Sequence, residues 1–337
     1  MQGNLLTQEY IQAIETELQE VVSKAGGADL DVFKHMLAYH MGWEGEGSGR
    51  KATGKRIRPL LLLLTCSAAG GNWENALPAA AAVELIHNFS LLHDDIEDNS
   101  PLRRGRPTVW SKWGIPQALN TGDGMFTLAH LAMLKIKDTT DSQTVITAEF
   151  ILHNTCLRLT QGQYLDIAFE SRNEISLDSY WAMIEGKTAA LFSACTQIGA
   201  LIAKTSESTR ENYRRYGHFL GLSFQIIDDI LGIWGDAVLT GKPAESDMVS
   251  GKKTLPILYG ISQKGTFASR WTKGRITPEE VPFLARQLEA EGALHFSENE
   301  ASRLTQNAKE ALEQAHPSGI AEETLISLTN YLFDRKR

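Results

Sequence analysis

An all-α fold is predicted for this 337-residue chain by one positive feature and two absences. Apolar residues recur at spacings of three and four through most of the sequence, and alternating strand patterns closed by tight turns are scarce. No repeat of twenty to fifty residues runs along it, which excludes a solenoid. The expectation is a single domain over residues 1–337, a bundle of about ten helices around a central cavity. Apolar residues make up 42% of the chain, enough for a substantial core in one body.

The elements follow in order. Residues 5–24 carry helical spacing, and Thr7 with the acids after it suits a helix start. Residues 57–70, 76–98, 116–136, 142–168, 176–204, 208–236 and 302–333 read as further helices. Breaks concentrate in MGWEGEGSGRKATG (41–54), NSPLRRGRP (99–107) and GDAVLTGKPAESDMVSGKKTLP (235–256). The last is too long for a simple connector, and loops of that length tend to carry function.

Charge and cysteine usage narrow the class. The formal net charge is -8, which argues against nucleic acid as a partner, although a few clustered cations can still bind an anionic small molecule. Cys66, Cys156 and Cys195 have neither paired nor metal-like spacing, so a reducing cytoplasm is expected. The N-terminal MQGNLLTQEYIQAIETELQEV is amphipathic and acid-rich, unlike a signal peptide. The apolar runs Leu60–Leu64 and Ala79–Val83 are too short to span a bilayer, so no transmembrane segment is expected.

Two acidic segments carry the chemistry. In LIHNFSLLHDDIEDNSPLRRGRP (85–107), Asp94 and Asp98 are one helical turn apart on one face, with Asp95 and Glu97 alongside. Carboxylates massed at a helix C-terminus oppose the macrodipole, so a counter-charge is needed. Oxygen donors without His or Cys beside them suit magnesium bridging to a substrate phosphate. The bland alternative, a solvated acidic helix end, fits poorly because apolar residues run right up to Asp94. In FQIIDDILGIWGD (224–236), Asp228 and Asp229 again follow an apolar helical run, with Gln225 one turn earlier and Asp236 eight residues beyond Asp228. Two such patches look like opposite walls of one diphosphate-binding cavity.

Cations complete the pattern. GKRIRP (54–59) places Lys55 and Arg58 at a helix start, where free N–H groups also favour anions. Arg103 and Arg104 follow the first acidic patch, and guanidinium forks fit phosphate oxygens. Lys187 sits in EGKTAA, Lys242 in TGKP, and Lys252 and Lys253 in GKKTLP. Taken singly, each reads as a solvated lysine. The GxxxxGK[ST] pattern of a nucleotide-binding loop is absent.

In order, GKRIRP, LIHNFSLLHDDIEDNSPLRRGRPT, QGQYLDI, EGKTAALF, FQIIDDILGIWGD, TGKP and GKKTLP resemble the trans-isoprenyl diphosphate synthases, the polyprenyl synthetase family, across residues 54–256. The resemblance implies the isoprenoid synthase fold, a homodimer, and condensation of isopentenyl diphosphate with an allylic diphosphate. It implies that Asp94 and Asp98 hold two magnesium ions, supported by Asp95, and that Asp228 holds a third. Arg103, Lys187 and Lys242 would bind the allylic diphosphate, with Lys252 a further substrate-binding candidate. Lys55, Arg58, His87 and Arg104 would bind that of isopentenyl diphosphate. Thr188 and Gln225 would face the allylic cation. His87 precedes Asp94 by close to two turns and so shares its face.

The sequence departs from the family pattern once: DDILG puts Gly232 where the second motif ordinarily has a third aspartate. Asp228, Asp236 and Asp247 remain, and the loss is expected to be tolerable. Two rivals are a terpene cyclase, which binds no second diphosphate, and a non-catalytic subunit of a heteromeric synthase. The intact isopentenyl set argues against the first, and the intact first aspartate motif argues against the second. Phe89, five residues before the first motif and followed by the small Ser90, is the family position that closes the product tunnel. An aromatic with a small neighbour resembles geranylgeranyl diphosphate synthases and implies a mainly twenty-carbon product, with fifteen and twenty-five carbons the nearest alternatives.

Overall fold

The computed structural model describes residues 2–172, 174–235 and 247–334. Lys242 and Asp236 therefore lie outside the described residues. The all-α expectation holds, with more helices than the ten or so anticipated. None is long and apolar enough to cross a membrane among the described residues.

Most expected helices form within two residues of their anticipated bounds, as Ile57–Ala68, Leu77–Glu97, Ile115–Leu134, Ser142–Glu170 and Glu207–Trp234, whereas the first, Gln2–Ser23, begins three residues ahead of its expected start and places Thr7 inside it. The stretch 302–333 is a correction, because it is two helices, Ala293–Gln314 and Gly319–Phe333. Pro317 lacks an N–H and disfavours helix at the residue before it, and His316 and Gly319 both turn left-handed, at φ 51 and 74. The stretch 176–204 is interrupted by a π-helical turn, Glu185–Ala189, between Leu177–Ile184 and Ala190–Ile202. One hairpin went unanticipated. Leu102 pairs with Pro107 and Arg103 with Arg106, joined by Arg104 and Gly105 at φ 52 and 75. Two left-handed residues make the type of turn that matches strand twist, and Gly105 is the only sequence cue to it.

The chain divides into two compact units: Met1–His153 with Ala194–Glu211 and His316–Leu325, and Asn154–Ser193 with Asn212–Ala315 and Ile326–Arg337. In the first, Leu77–Glu97 packs against Ile115–Leu134, Ile57–Ala68 and Gln2–Ser23. Ala79, Ala80, Ala81, Ala82 and Val83, the run too short for a membrane, are wholly buried there. Small side chains let neighbouring helices approach on every side of Leu77–Glu97.

A buried cation ties this unit together. The guanidinium of Arg56 donates to Glu15 on Gln2–Ser23 at 2.6 Å and to Glu84 on Leu77–Glu97 at 2.8 Å. Its side chain and that of Glu84 are almost fully buried. Glu84 also accepts from Asn88 Nδ2 at 3.0 Å, and Glu15 from Trp43 Nε1 at 2.8 Å. Arg106 plays a similar part for the glycine-rich segment, donating to the carbonyls of Tyr39, Glu44 and Glu46 at 3.0, 2.6 and 2.9 Å.

In the second unit, Glu207–Trp234 supplies Leu222, Ile226, Ile227 and Ile230 to a core with Tyr180, Ile184, Leu255 and Leu304. Ser223 and Thr305 hydroxyls meet inside it at 2.7 Å. Met248, Ile257, Phe267, Leu284 and Leu288 form a second cluster with Ile233.

Arg56→Ala leaves Glu84 buried without its cation, so a stability loss of about 3–5 kcal/mol is expected. Denaturant midpoints of wild type and variant measure it, and a loss below about 1 kcal/mol would show that the network is not a linchpin.

Candidate active site

Each acidic cluster belongs to one unit. In the first, the helix Leu77–Glu97 ends at the aspartate motif, with the Asp98 N–H still bonded to the Asp94 carbonyl at 2.8 Å. Asp94 and Asp98 therefore keep the one-turn relation that their spacing predicts. Asp94 is half-buried and Asp98 exposed at the negative end of the helix dipole. Asp95 differs: it is buried and accepts from Arg103 Nε at 2.8 Å. Burial pushes its carboxyl up to about 6 although Arg103 pulls it down. Asp95 thus anchors the hairpin to the helix end, and Arg103 is held beside the motif by it.

The neighbouring cations are sorted in the same way. Arg104 donates to the Ala52 carbonyl at 2.7 Å, which binds the hairpin to the segment preceding GKRIRP. Arg56 is buried in its network, so Lys55 is left exposed and Arg58 half-buried at the start of Ile57–Ala68. Arg58 Nη1 lies 3.2 Å from His87 Nε2. A guanidinium can only donate, so Nε2 accepts and the imidazole proton sits on Nδ1. Burial, together with Arg58, Arg104, Arg103 and Arg56, holds His87 well below its ordinary value. It is a neutral hydrogen-bonding group rather than another cation. Asp95, Arg103 and Arg104 line one side of a cleft with Tyr39, His40 and Thr108.

Phe89 lies on the same helix, half-buried, with its ring 4.8 Å from His93 and 5.1 Å from Phe126. Ser90 donates to the His87 carbonyl at 2.8 Å. A side chain at Gly122 would strike the His93 ring, which is why the facing helix carries glycine there.

In the second unit, two motif glycines bring backbones together. A Cβ on Gly186 would lie 2.6 Å from the Arg158 carbonyl, and one on Gly162 would meet the Gly186–Lys187 peptide. Only glycine permits that approach. The π turn that contains Gly186 places Lys187 against Asp166, with which it forms an ion pair. Such turns recur at functional sites. Asp166, within QGQYLDI, had no role assigned by sequence. Its cue is its position one turn after Gly162.

Thr188 donates to Gln225 Oε1 at 2.6 Å, and Gln225 Nε2 donates to Asp229 Oδ1 at 2.9 Å. Asp229 Oδ2 accepts from Tyr180 at 2.7 Å and from the Leu255 N–H at 3.0 Å. Buried Asp229 is therefore an anchor between helices, while Asp228 stays half-buried beside it. Burial raises the Asp229 carboxyl to about 7 despite these donors, with Asp247 adding to the rise. Lys253 is likewise buried, with its ammonium 3.0 Å from the Gly251 carbonyl and 5.3 Å from the Trp271 ring centroid. Its neighbour Lys252 is half-buried.

The Gly232 departure has a physical counterpart. A Cβ built at Gly232 would collide with the Asp247 carboxylate. The space that a third aspartate would enter already holds a carboxylate delivered from the following segment.

The family model described as Polyprenyl synthetase matches residues 49–280. The chain is 40% identical over 313 residues to a (2E,6E)-farnesyl diphosphate synthase of Mycobacterium tuberculosis, covering 89% of this chain and 86% of that one. It is 35% identical over 308 residues to a geranylgeranyl diphosphate synthase of the same organism, covering 89% and 86%. Among solved structures, geranylgeranyl pyrophosphate synthetase from Pyrococcus horikoshii superposes with a TM-score of 0.88 at 28% identity, covering 99% of this chain and 98% of that one. A polyprenyl synthase from Caulobacter crescentus, complexed with calcium and isoprenyl diphosphate, gives 0.84 at 28% identity, covering 98% and 97%.

Gly232→Asp forces two carboxylates into one space, so a stability loss of about 1 kcal/mol or more is expected, relieved by Asp247→Ala in the same chain. Equal denaturation midpoints for wild type and Gly232→Asp would show that the two positions do not compete.

Proposed function

The chain belongs to the polyprenyl synthetase family, and on that premise we propose that it condenses isopentenyl diphosphate with an allylic diphosphate and releases pyrophosphate. It is a short-chain trans-prenyl diphosphate synthase, a transferase. The observation that carries the reaction is the division of each charged motif into a buried anchor and an accessible partner. Asp95 is bonded to Arg103 through one oxygen and Asp229 is bonded through both, leaving Asp94, Asp98 and Asp228 less enclosed.

In this reading Asp94, Asp98 and Asp228 would hold magnesium, three ions in all, with Asp95 supporting the first pair. The donors fit: they are carboxylate oxygens only, and the first pair stands at a helix end whose dipole adds negative charge. Bound there, magnesium supplies the positive charge that the diphosphate needs as its allylic C–O bond breaks. Arg103, Lys187 and Lys242 hold that diphosphate, and Lys55, Arg58, His87 and Arg104 hold the one on isopentenyl diphosphate, with Lys252 a further diphosphate ligand. Neutral His87 contributes its Nδ1–H. Thr188 gives its proton to Gln225, which leaves its hydroxyl lone pairs free to face the allylic cation. The second double bond attacks that cation, and a proton passes to the departing pyrophosphate. Residues 1–337 would act as one catalytic domain.

Two further properties belong to the same proposal. Leu131, Ile146 and Phe150 are 56%, 62% and 69% exposed, and burying them in a homodimer would remove that apolar surface from water. Cys66, Cys156 and Cys195 form no disulfide with one another, which suits a reducing cytoplasm.

For chain length, the half-buried Phe89 ring, backed by Phe126, supports a floor that stops growth at twenty carbons. A fifteen-carbon product is the second reading, favoured by the relative named as a farnesyl diphosphate synthase.

Incubating purified protein with magnesium, isopentenyl diphosphate and each allylic primer tests the reaction. Linear elongated diphosphates are expected, whereas cyclised hydrocarbon or no turnover would replace the proposal with a cyclase or a non-catalytic subunit. Asp94→Ala and Asp98→Ala should each lower kcat by at least ~100-fold in folded protein, and near-normal turnover would remove them from the metal site. Phe89→Ala should lengthen the product by one or more five-carbon units while condensation continues. An unchanged distribution on chromatography of the dephosphorylated products would mean that Phe89 is not the floor.

A further inference from the structure

Away from the aspartate motifs, two histidines and a glutamate converge where Ile115–Leu134 lies beside Ser142–Glu170. His130 Nδ1 is 3.0 Å from Glu149 Oε2, and His153 Nδ1 is 3.3 Å from the same oxygen. One ligand atom from each of the three residues lies within 4.8 Å of the other two. The imidazole rings sit 4.2 Å apart between centroids, tilted by 31°. Glu149 and His153 are one turn apart on their helix, so their spacing puts both on one face, and His130 arrives from the neighbouring helix.

Three observations distinguish this trio from an ordinary hydrogen-bonded cluster. Glu149 Oε1 and His130 Nε2 are both buried without a hydrogen-bond partner, so the trio has polar capacity that its own contacts leave unused. Both imidazoles converge on a single carboxylate oxygen at separations close to the edges of a tetrahedral shell. Ligands about 2.0–2.2 Å from zinc stand roughly 3.3–3.5 Å from one another. Access is available too, because the His153 side chain is 62% exposed while those of His130 and Glu149 are each 15% exposed. His153 Nδ1 also lies 2.8 Å from the Glu149 carbonyl, a bond that metal coordination would replace.

We propose that His130, Glu149 and His153 form a two-histidine, one-carboxylate site for a divalent transition metal such as zinc, with solvent completing the shell. Imidazole nitrogens favour such metals over magnesium, so the site is chemically separate from the all-oxygen aspartate clusters. An ion here would clamp Ile115–Leu134 to Ser142–Glu170. The His130 ring packs edge-on against Phe126 at 4.7 Å, and Phe126 packs against Phe89 at 5.1 Å. The clamp would therefore restrain the aromatic stack behind the tunnel floor proposed above. That consequence rests on the Phe89 reading, whereas the metal site does not.

The test uses the tag-free, full-length chain, stripped with chelator and then saturated with magnesium so that the carboxylate clusters are filled. Cobalt(II) titration should give the visible absorption of a four- or five-coordinate nitrogen–oxygen site at one ion per chain, displaced by zinc. His153→Ala, at an exposed position compatible with an intact fold by circular dichroism, should weaken cobalt binding at least ~10-fold, as should Glu149→Gln. Asp98→Asn should leave the band in place. Absence of the band overturns the proposal, leaving a hydrogen-bonded cluster with no ion. So does a band that survives His153→Ala or vanishes in Asp98→Asn. Magnesium-dependent turnover plays no part in these readouts, so their failure is distinguishable from failure of the synthase reading.

Discussion

Arg56 cannot leave water without partners, and meeting that requirement organises the first unit. Its bonds to Glu15 and Glu84 join three chain segments around one guanidinium, because a buried charge is tolerated only when neutralised and fully bonded. With Arg56 turned inward, Lys55 and Arg58 on either side are directed elsewhere. The second unit solves the same problem with an anion. Asp229 accepts from Tyr180, Gln225 and the Leu255 N–H, so the start of Leu255–Ser262 is fastened to Glu207–Trp234 at the aspartate motif. In each unit the charged groups proposed for catalysis are thus positioned by charges that take no part in that chemistry.

Backbone proximity supplies the remaining precision. Gly162 and Gly186 allow two helices to touch where larger residues would hold them apart, and the π turn re-aims Lys187 and Thr188 from what a regular helix would give. Thr188 then meets Gln225, which in turn meets Asp229. A chain of hydrogen bonds of this kind restrains each member through the next, so the groups proposed to face a short-lived cation are held in place before any substrate arrives.

The family's fold does not by itself set the product. Relatives named as farnesyl and geranylgeranyl diphosphate synthases cover equal shares of this chain, so the arrangement of helices does not by itself distinguish the two product lengths. Phe89 is backed by Phe126 and flanked by His93, and such packing holds its ring more firmly than the residue alone would suggest.

The sequence by itself determined the helical class, most helix bounds and the identity of the charged motifs, because helical periodicity and residue type are local properties. It read Asp94 with Asp98 and Asp228 with Gln225 from spacing alone, and the structure keeps those relations along each helix, whereas Lys55 precedes the helix that carries Arg58. What spacing could not decide was which member of each adjacent pair goes inward. Arg56, Asp95, Asp229 and Lys253 are buried, while Lys55, Asp94, Asp228 and Lys252 are not. That choice depends on partners distant in sequence, such as Glu84 for Arg56 and Tyr180 for Asp229. The Asp247 carboxylate beside Gly232 was hidden for the same reason, since fifteen positions of chain separate residues that only folding brings into contact.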